Sequence, residues 1–247
     1  MIKAIIIDDE RNSRDIIALM LEKYCPEVEI TATASDCVDG IEKIREHQPQ
    51  LVFLDLEMPD GTGFDVLIGT QKEIPFEAVF VTAFEKRFLH TIRFSEVELI
   101  LKPIDKESLL QAVNTISARI HNNTSKHRYQ VLLDNFNKGK NASWQLLIPA
   151  DNGQEVTVPL PAIEYLEANL EKCTFNLDSG AVIHAERPFR YYADLFTPLR
   201  FYQVNNMQMI QLSHISHIAN DTGKIVLKSG TALETTERRK KDLLSKL

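Results

Sequence analysis

Cysteine is scarce in this 247-residue chain, and the three present form no pattern. Cys25, Cys37 and Cys173 are odd in number and far apart, which excludes a disulfide framework and expects reduced thiols in a cytoplasmic protein. Long apolar runs are missing too. The longest span four to six residues, such as Ile2 to Ile7, whereas crossing a bilayer takes roughly 20. No basic region precedes a long apolar segment near Met1, so this end reads as a strand and not a signal peptide. No membrane partner is expected. His214 and His217 have no Cys or Glu pattern around them that zinc would need.

A basic excess is also lacking. Residues 1–120 carry 13 Lys/Arg against 22 Asp/Glu, residues 121–145 carry 4 against 1, and residues 146–247 carry 11 against 12. A nucleic-acid binder usually shows a strongly basic face, and no domain here is strongly basic.

What the chain does have is a set of short apolar runs that each end on a polar group. Ile2–Ile7 leads to Asp8 and Asp9, and Leu51–Leu54 leads to Asp55. Ala78–Val81 leads to Thr82, and Leu99–Leu101 leads to Lys102 and then Pro103. Each reads as a buried parallel strand with helical apolar spacing between the runs. The alternation predicts an α/β, doubly wound parallel sheet through about residue 120, with Val28–Ala32 as a less apolar edge strand. Its last helix begins near Asp105, a suitable N-cap. Carboxyl ends of parallel strands gather on one edge, where ligands bind. All these polar groups are therefore expected in one pocket.

Their chemistry suits phosphoryl transfer to a carboxylate. An anionic phosphoryl group must approach an anionic nucleophile, and a hard oxygen-liganded Mg²⁺ offsets that repulsion. Asp8 and Asp9 supply carboxylates for the metal, Asp55 is the candidate nucleophile, and Lys102 and the Thr82 hydroxyl address phosphoryl oxygens. Pro103 leaves cis and trans open. The combination Asp60-Gly61-Thr62 does not complete a dehalogenase-type nucleophile motif, because position 58 is Met.

Residues 121–143 turn polar and basic around an amphipathic patch of Tyr129, Leu132, Leu133 and Phe136, read as a linker with one helix that packs on a domain or on a second copy. From Trp144 onward, strand-length segments alternate with turn signals such as Asp151-Asn152-Gly153 and Asn220-Asp221-Thr222-Gly223. Only Phe189–Phe196 and Glu237–Leu247 look helical there. The domains are thus 1–120, a linker at 121–143, and a mostly β domain at 144–247.

Ile7-Asp8-Asp9-Glu10, Leu54-Asp55-Leu56-Glu57-Met58-Pro59, Gly61 to Gly63, Thr82-Ala83 and Leu101-Lys102-Pro103 resemble the receiver domain of two-component response regulators. The resemblance implies a flavodoxin-like five-stranded sheet, phosphorylation of Asp55 by a sensor histidine kinase, and the backbone carbonyl of Glu57 as a further ligand to Mg²⁺ beside Asp8, Asp9 and Asp55. It also implies that Thr82 relays the change to the face around the last two strands, and that the protein forms a homodimer when phosphorylated. The family often has an aromatic switch three residues before the lysine. Here that position is Leu99.

The β-rich half resembles the LytTR-type DNA-binding domain through Ile163–Ala168, Phe201-Tyr202-Gln203-Val204, Ile210–Ile215 and Arg238–Leu244. This implies a non-enzymatic regulator that contacts double-stranded DNA. The family's His-Arg-Ser-Tyr appears as Asn205-Asn206-Met207-Gln208, and its Ser-Arg before the last helix as Thr236-Glu237. Asn205, Asn206 and Gln208 retain base-reading chemistry suited to adenine, and Arg238 and Arg239 follow, but a carboxylate replaces one arginine. Other readings are a β domain that acts on a protein partner, and a receiver that serves as a phosphoryl sink.

Overall fold

The computed structural model describes residues 1–71, 73–83, 86–122, 126–137, 143–219 and 223–247. The polar stretches at 123–125 and 138–142 and the turn residues 220–222 lie outside the described residues. Chain contacts divide the molecule into two compact units, Met1–Lys138 and Gly139–Leu247.

In the first unit β1 (Ile2–Ile7), α1 (Arg11–Tyr24), β2 (Val28–Ala34), α2 (Cys37–His47) and β3 (Leu51–Asp55) follow one another. A two-residue ladder of β4 (Glu57–Met58) with β5 (Gly61–Thr62) leads to α3 (Gly63–Thr70). Then come β6 (Glu77–Thr82), α4 (Lys86–Phe94), β7 (Glu98–Leu101), α5 (Lys106–Asn122) and α6 (Lys126–Asn137). The sheet is parallel throughout, in the order β2-β1-β3-β6-β7. This is a flavodoxin-like doubly wound sheet, with β2 on an edge as its lower apolar content predicts.

Alternation along each strand feeds two apolar layers. Ile5, Ile7, Val52, Leu54, Ala78 and Phe80 face Ile44 of α2, Phe64 and Leu67 of α3, and Phe88 and Ile92 of α4. Ala4, Ile6, Leu51, Phe53, Val79 and Val81 face Ile17 and Leu21 of α1 and Leu109, Val113 and Ile116 of α5. Both faces being covered explains why these strands are continuously apolar.

Helix starts are set locally. Asp36 accepts from the Asp39 amide at 2.8 Å, and Thr62 and Asp65 form a reciprocal capping box at the start of α3. Asp105 accepts from the Ser108 amide at 2.8 Å. The amphipathic patch after α5 is the helix α6, and it packs within the first unit: Tyr129 and Leu132 are buried in the layer that contains α3 and α4.

The second unit is mostly strand. It contains β8 (Gln145–Pro149), β9 (Glu155–Pro159), β10 (Ile163–Asn169), β11 (Lys172–Leu177), β12 (Val182–Ala185), α7 (Phe189–Phe196), β13 (Phe201–Asn205) and β14 (Gln208–Gln211). After them come β15 (Ile215–Ile218), β16 (Ile225–Leu227), β17 (Ala232–Leu233) and α8 (Glu237–Leu244). The main sheet runs β12-β11-β10-β14-β13, beside a three-stranded β15-β16-β17 sheet and a β8-β9 hairpin. Tyr192 and Phe196 of α7 are fully buried with Phe175. Leu243 inserts α8 into the cluster of Tyr202, Val204, Ile210, Ile225, Leu227 and Leu233. Among the described residues no helix is long and apolar enough to cross a membrane.

Candidate functional site

The strand order places the ends of β1 and β3 side by side at the point where the winding reverses, the usual location of a ligand crevice. Asp8 follows β1 and Asp55 is the last residue of β3. Thr82 ends β6, and its carbonyl accepts from the Lys102 amide at 2.7 Å just past β7. The Lys102–Pro103 bond is cis.

Lys102 reaches three carboxylates. Its Nζ lies 2.7 Å from Asp55 Oδ2, 3.0 Å from Asp8 Oδ2 and 3.0 Å from Glu10 Oε2. Asp8, Asp55 and Lys102 are largely shielded from solvent, and Glu10 is exposed. Carboxylate oxygens of Asp8, Asp9 and Asp55 all fall within 4.8 Å of one another. The surrounding loops are held by short-range bonds. The Glu10 amide donates to Asp8 Oδ1 at 2.9 Å, and the Glu57 amide donates to Asp55 Oδ1 at 3.2 Å. Arg14 donates to the carbonyls of Asp8 and Asp9, while Ser13 donates to Glu10 at 2.9 Å.

Electrostatics follow from this crowding. Burial raises the pKa of Asp8, the hydrogen bond from Lys102 opposes that rise, and repulsion from Asp55 adds to it. Burial alone would lower the pKa of Lys102, but its bonds to Asp55, Glu10 and Asp8 together raise it. Glu10, bonded to Lys102 and Ser13, is lowered. Three acids thus share one cation. Lys102 is the ion-pair partner of both Asp8 and Asp55, and the clustered donor set of hard carboxylate oxygens from Asp8, Asp9 and Asp55 fits a small divalent cation.

Because the folded-state pKa of Asp8 exceeds its unfolded value, its ionised form costs stability at neutral pH. That cost fades as pH falls through the folded pKa toward the ordinary aspartate value. Asp8→Asn is therefore expected to raise the receiver's Tm by a few degrees at pH 7 without metal, and by less near pH 4. Thermal melts at the two pH values check this; an unchanged Tm at pH 7 refutes it.

The other candidate residues gather at one end of the second unit. Asn205 ends β13, Asn206 and Met207 form the turn, and Gln208 opens β14. Thr236 caps α8 by accepting from the Arg239 amide. Together with Glu167 these groups wall a cavity of about 530 Å³. Their polar heads are engaged within the chain. Asn205 Nδ2 donates to Gln208 Oε1 at 2.9 Å and to the Glu234 carbonyl at 3.1 Å. Gln208 Nε2 donates to Glu167 Oε2 at 3.1 Å. Arg239 donates to the Gln203 carbonyl and to Asn206 Oδ1, whereas Arg238 and Glu237 are exposed.

The structure thus brings Asp8, Asp9, Asp55 and Lys102 together with Thr82 on the same edge, and Asn205, Asn206, Gln208 and Arg239 around one cavity. Sequence reasoning assigned no part to Glu10, Arg14 or Glu167. Glu10 stands 92 residues from Lys102, and no periodicity signals a contact of that kind.

Comparison with known proteins agrees with this division. Residues 4–114 match the response regulator receiver domain, and residues 154–247 match the LytTr DNA-binding domain. The sensory transduction protein LytT of Bacillus anthracis is 36% identical over 46% of this chain and 46% of its own length. An uncharacterized response regulatory protein of Yersinia pestis is 26% identical over 100% of this chain and 99% of its own. The transcriptional regulatory protein BtsR of Shigella flexneri is 24% identical over 98% of each. The chain spans about half the length of the first curated relatives it matches. With a receiver sheet, its acidic edge and a LytTR domain in one polypeptide, this chain belongs to the response regulators of two-component systems.

Proposed function

We propose that the chain is a cytoplasmic transcription regulator switched by phosphorylation of Asp55, with a sensor histidine kinase upstream and double-stranded DNA downstream. The observation that carries the proposal is the Lys102–Asp55–Asp8 cluster at the switch point of the parallel sheet. Asp55 is the nucleophile, and its carboxylate forms the acyl phosphate. Asp8, Asp9, Asp55 and the Glu57 carbonyl would hold Mg²⁺. The ion would supply positive charge against the incoming phosphoryl group. Lys102, already in contact with Asp55, pairs with a phosphoryl oxygen once the free carboxylate is consumed. The Thr82 hydroxyl donates to another. Regulation and not catalysis of an external reaction is the output.

The domain partition that accompanies this reading is a phosphoacceptor domain over 1–120, a helix-bearing linker over 121–143, and a DNA-binding domain over 144–247. Phosphorylation favours a homodimer, which doubles the DNA contacts. Asn205, Asn206, Gln208, Arg238 and Arg239 make those contacts. The amides of Asn205 and Gln208 must exchange their internal partners for base edges, and Glu237 repels phosphate.

Both features favour modest affinity, and the part of the binding that rests on phosphate contacts from Arg238 and Arg239 weakens with salt. Fluorescence anisotropy with duplexes from its own operon is expected to show binding at low salt that tightens when Asp55 is phosphorylated. No binding in either phosphorylation state overturns the DNA-binding output. In that event the paired amides and the Glu237 carboxylate point to a protein partner of the second unit.

A further inference from the structure

The helix α6 is much more than a spacer. Over its 12 residues, Arg128, Tyr129, Val131, Leu132 and Asn135 are buried, a stripe at helical spacing. Its aromatic residues enter the receiver's own core. The Phe136 ring stacks on Phe64 of α3, with centroids 4.2 Å apart and planes 8° from parallel. Phe88 of α4 sits 5.2 Å from Phe64 and 6.0 Å from Phe136. Phe80 of β6, two residues before Thr82, lies 5.3 Å from Phe64.

The other end of α6 completes the sheet. β7 begins opposite Val79, so the start of β6 extends past its neighbour. There the Ala78 amide donates to the Tyr129 hydroxyl, which in turn donates to the buried Glu77 carboxylate at 3.2 Å. A buried backbone donor without a partner is costly, and α6 supplies the partner. One strand therefore carries Thr82 at one end and the α6 anchor at the other. Helix α4, which follows that strand, touches α6 through Phe88 and Phe136.

Leu99 occupies the place where an aromatic switch is usual, and it packs on this same layer. We propose that α6 is the receiver's output lever, docked on α3, α4 and the start of β6 while Lys102 pairs with a free Asp55 carboxylate, and loosened when Asp55 is phosphorylated. The ring cluster Phe64, Phe80, Phe88 and Phe136 takes over the relay that position 99 lacks. Release of α6 frees its 12 residues to lengthen the tether into the second unit, which widens the reach of that unit. The lever rests on Asp55 being the phosphoacceptor.

Linkage gives the test two sides. If loading Asp55 loosens α6, then loosening α6 tightens loading of Asp55 by the same factor. The probe is beryllofluoride with Mg²⁺, a stable mimic of the acyl phosphate, applied to the full chain. Hydrogen exchange of the amides from Tyr129 to Phe136 and of Ala78 is expected to speed up about tenfold on loading. Phe136→Leu is expected to exchange fast without ligand and to bind beryllofluoride about fivefold or more tightly, as read by fluorine NMR. Tyr129→Phe removes one oxygen, keeps the volume, and carries the same expectation should the first variant fold poorly. Bound beryllofluoride with unchanged α6 exchange overturns the lever and leaves the phosphoacceptor reading standing. Loosened variants with unchanged beryllofluoride affinity overturn it equally. Wild-type protein that takes up no beryllofluoride overturns both.

Discussion

Asp55→Ala is expected to abolish acid-labile phosphate incorporation from a small phosphodonor and Mg²⁺. Among the clustered carboxylates, Asp55 ends the central strand β3 and lies nearest Lys102, at 2.7 Å. Asp8 is committed to a site where burial and repulsion raise its pKa, which suits a metal ligand held among other acids. Alanine removes the carboxylate proposed as the nucleophile and leaves Lys102 with Asp8 and Glu10 as partners, so the fold is expected to persist while labelling stops. Labelling with radioactive phosphodonor, followed by acid lability of the product, reads this directly. Label retained at the wild-type level in the variant assigns the nucleophile elsewhere.

Gly63→Ala is expected to damage both stability and phosphorylation. A Cβ at position 63 would lie 2.5 Å from the Asp55 carbonyl oxygen and 3.0 Å from both Leu54 Cγ and Phe80 Cε1. The first of these is backbone and cannot rotate aside. Either α3 shifts outward or the end of β3 moves, and the second option displaces the Asp55 carboxylate. Overpacking of this kind costs about 1–3 kcal/mol. Urea denaturation is expected to show that loss in the unfolding of the first unit, with a slower rate of Asp55 labelling. Wild-type midpoint and rate together would mean that α3 yields without strain. Gly63 is thus required by close approach: its Cα faces the strand that delivers Asp55.

The extent to which the site was legible differs between its parts. Asp8, Asp55, Thr82 and Lys102 were readable because each ends a continuously apolar run, and a parallel sheet lines up such ends without further information. Glu10 was not. It stands in the same motif, yet its contact with Lys102 depends on how the loop after β1 is held by Arg14 and Ser13. In the second unit the residues at 205–208 and 236–239 were identifiable as a departure from the LytTR pattern. Their mutual hydrogen bonds were not, since they join β10, the β13–β14 turn and α8 across long stretches of chain.

The segment after α5 shows the boundary most clearly. Its amphipathic spacing at Tyr129, Leu132, Leu133 and Phe136 made a helix certain to need a partner surface, but periodicity describes only one side of an interface. The partner proved to be the first unit itself, where β6 outruns β7 and leaves the Ala78 amide to be met by Tyr129. Sequence by itself determined the strands, their polar ends and hence the acidic edge, because those follow from local pattern and from the geometry common to parallel sheets. Tertiary structure alone decided the seat of α6, the part taken by Glu10 and the pairing of the Asn205 and Gln208 amides. Each of these rests on contacts between residues distant in the chain, whose approach is set by packing and leaves no periodic trace.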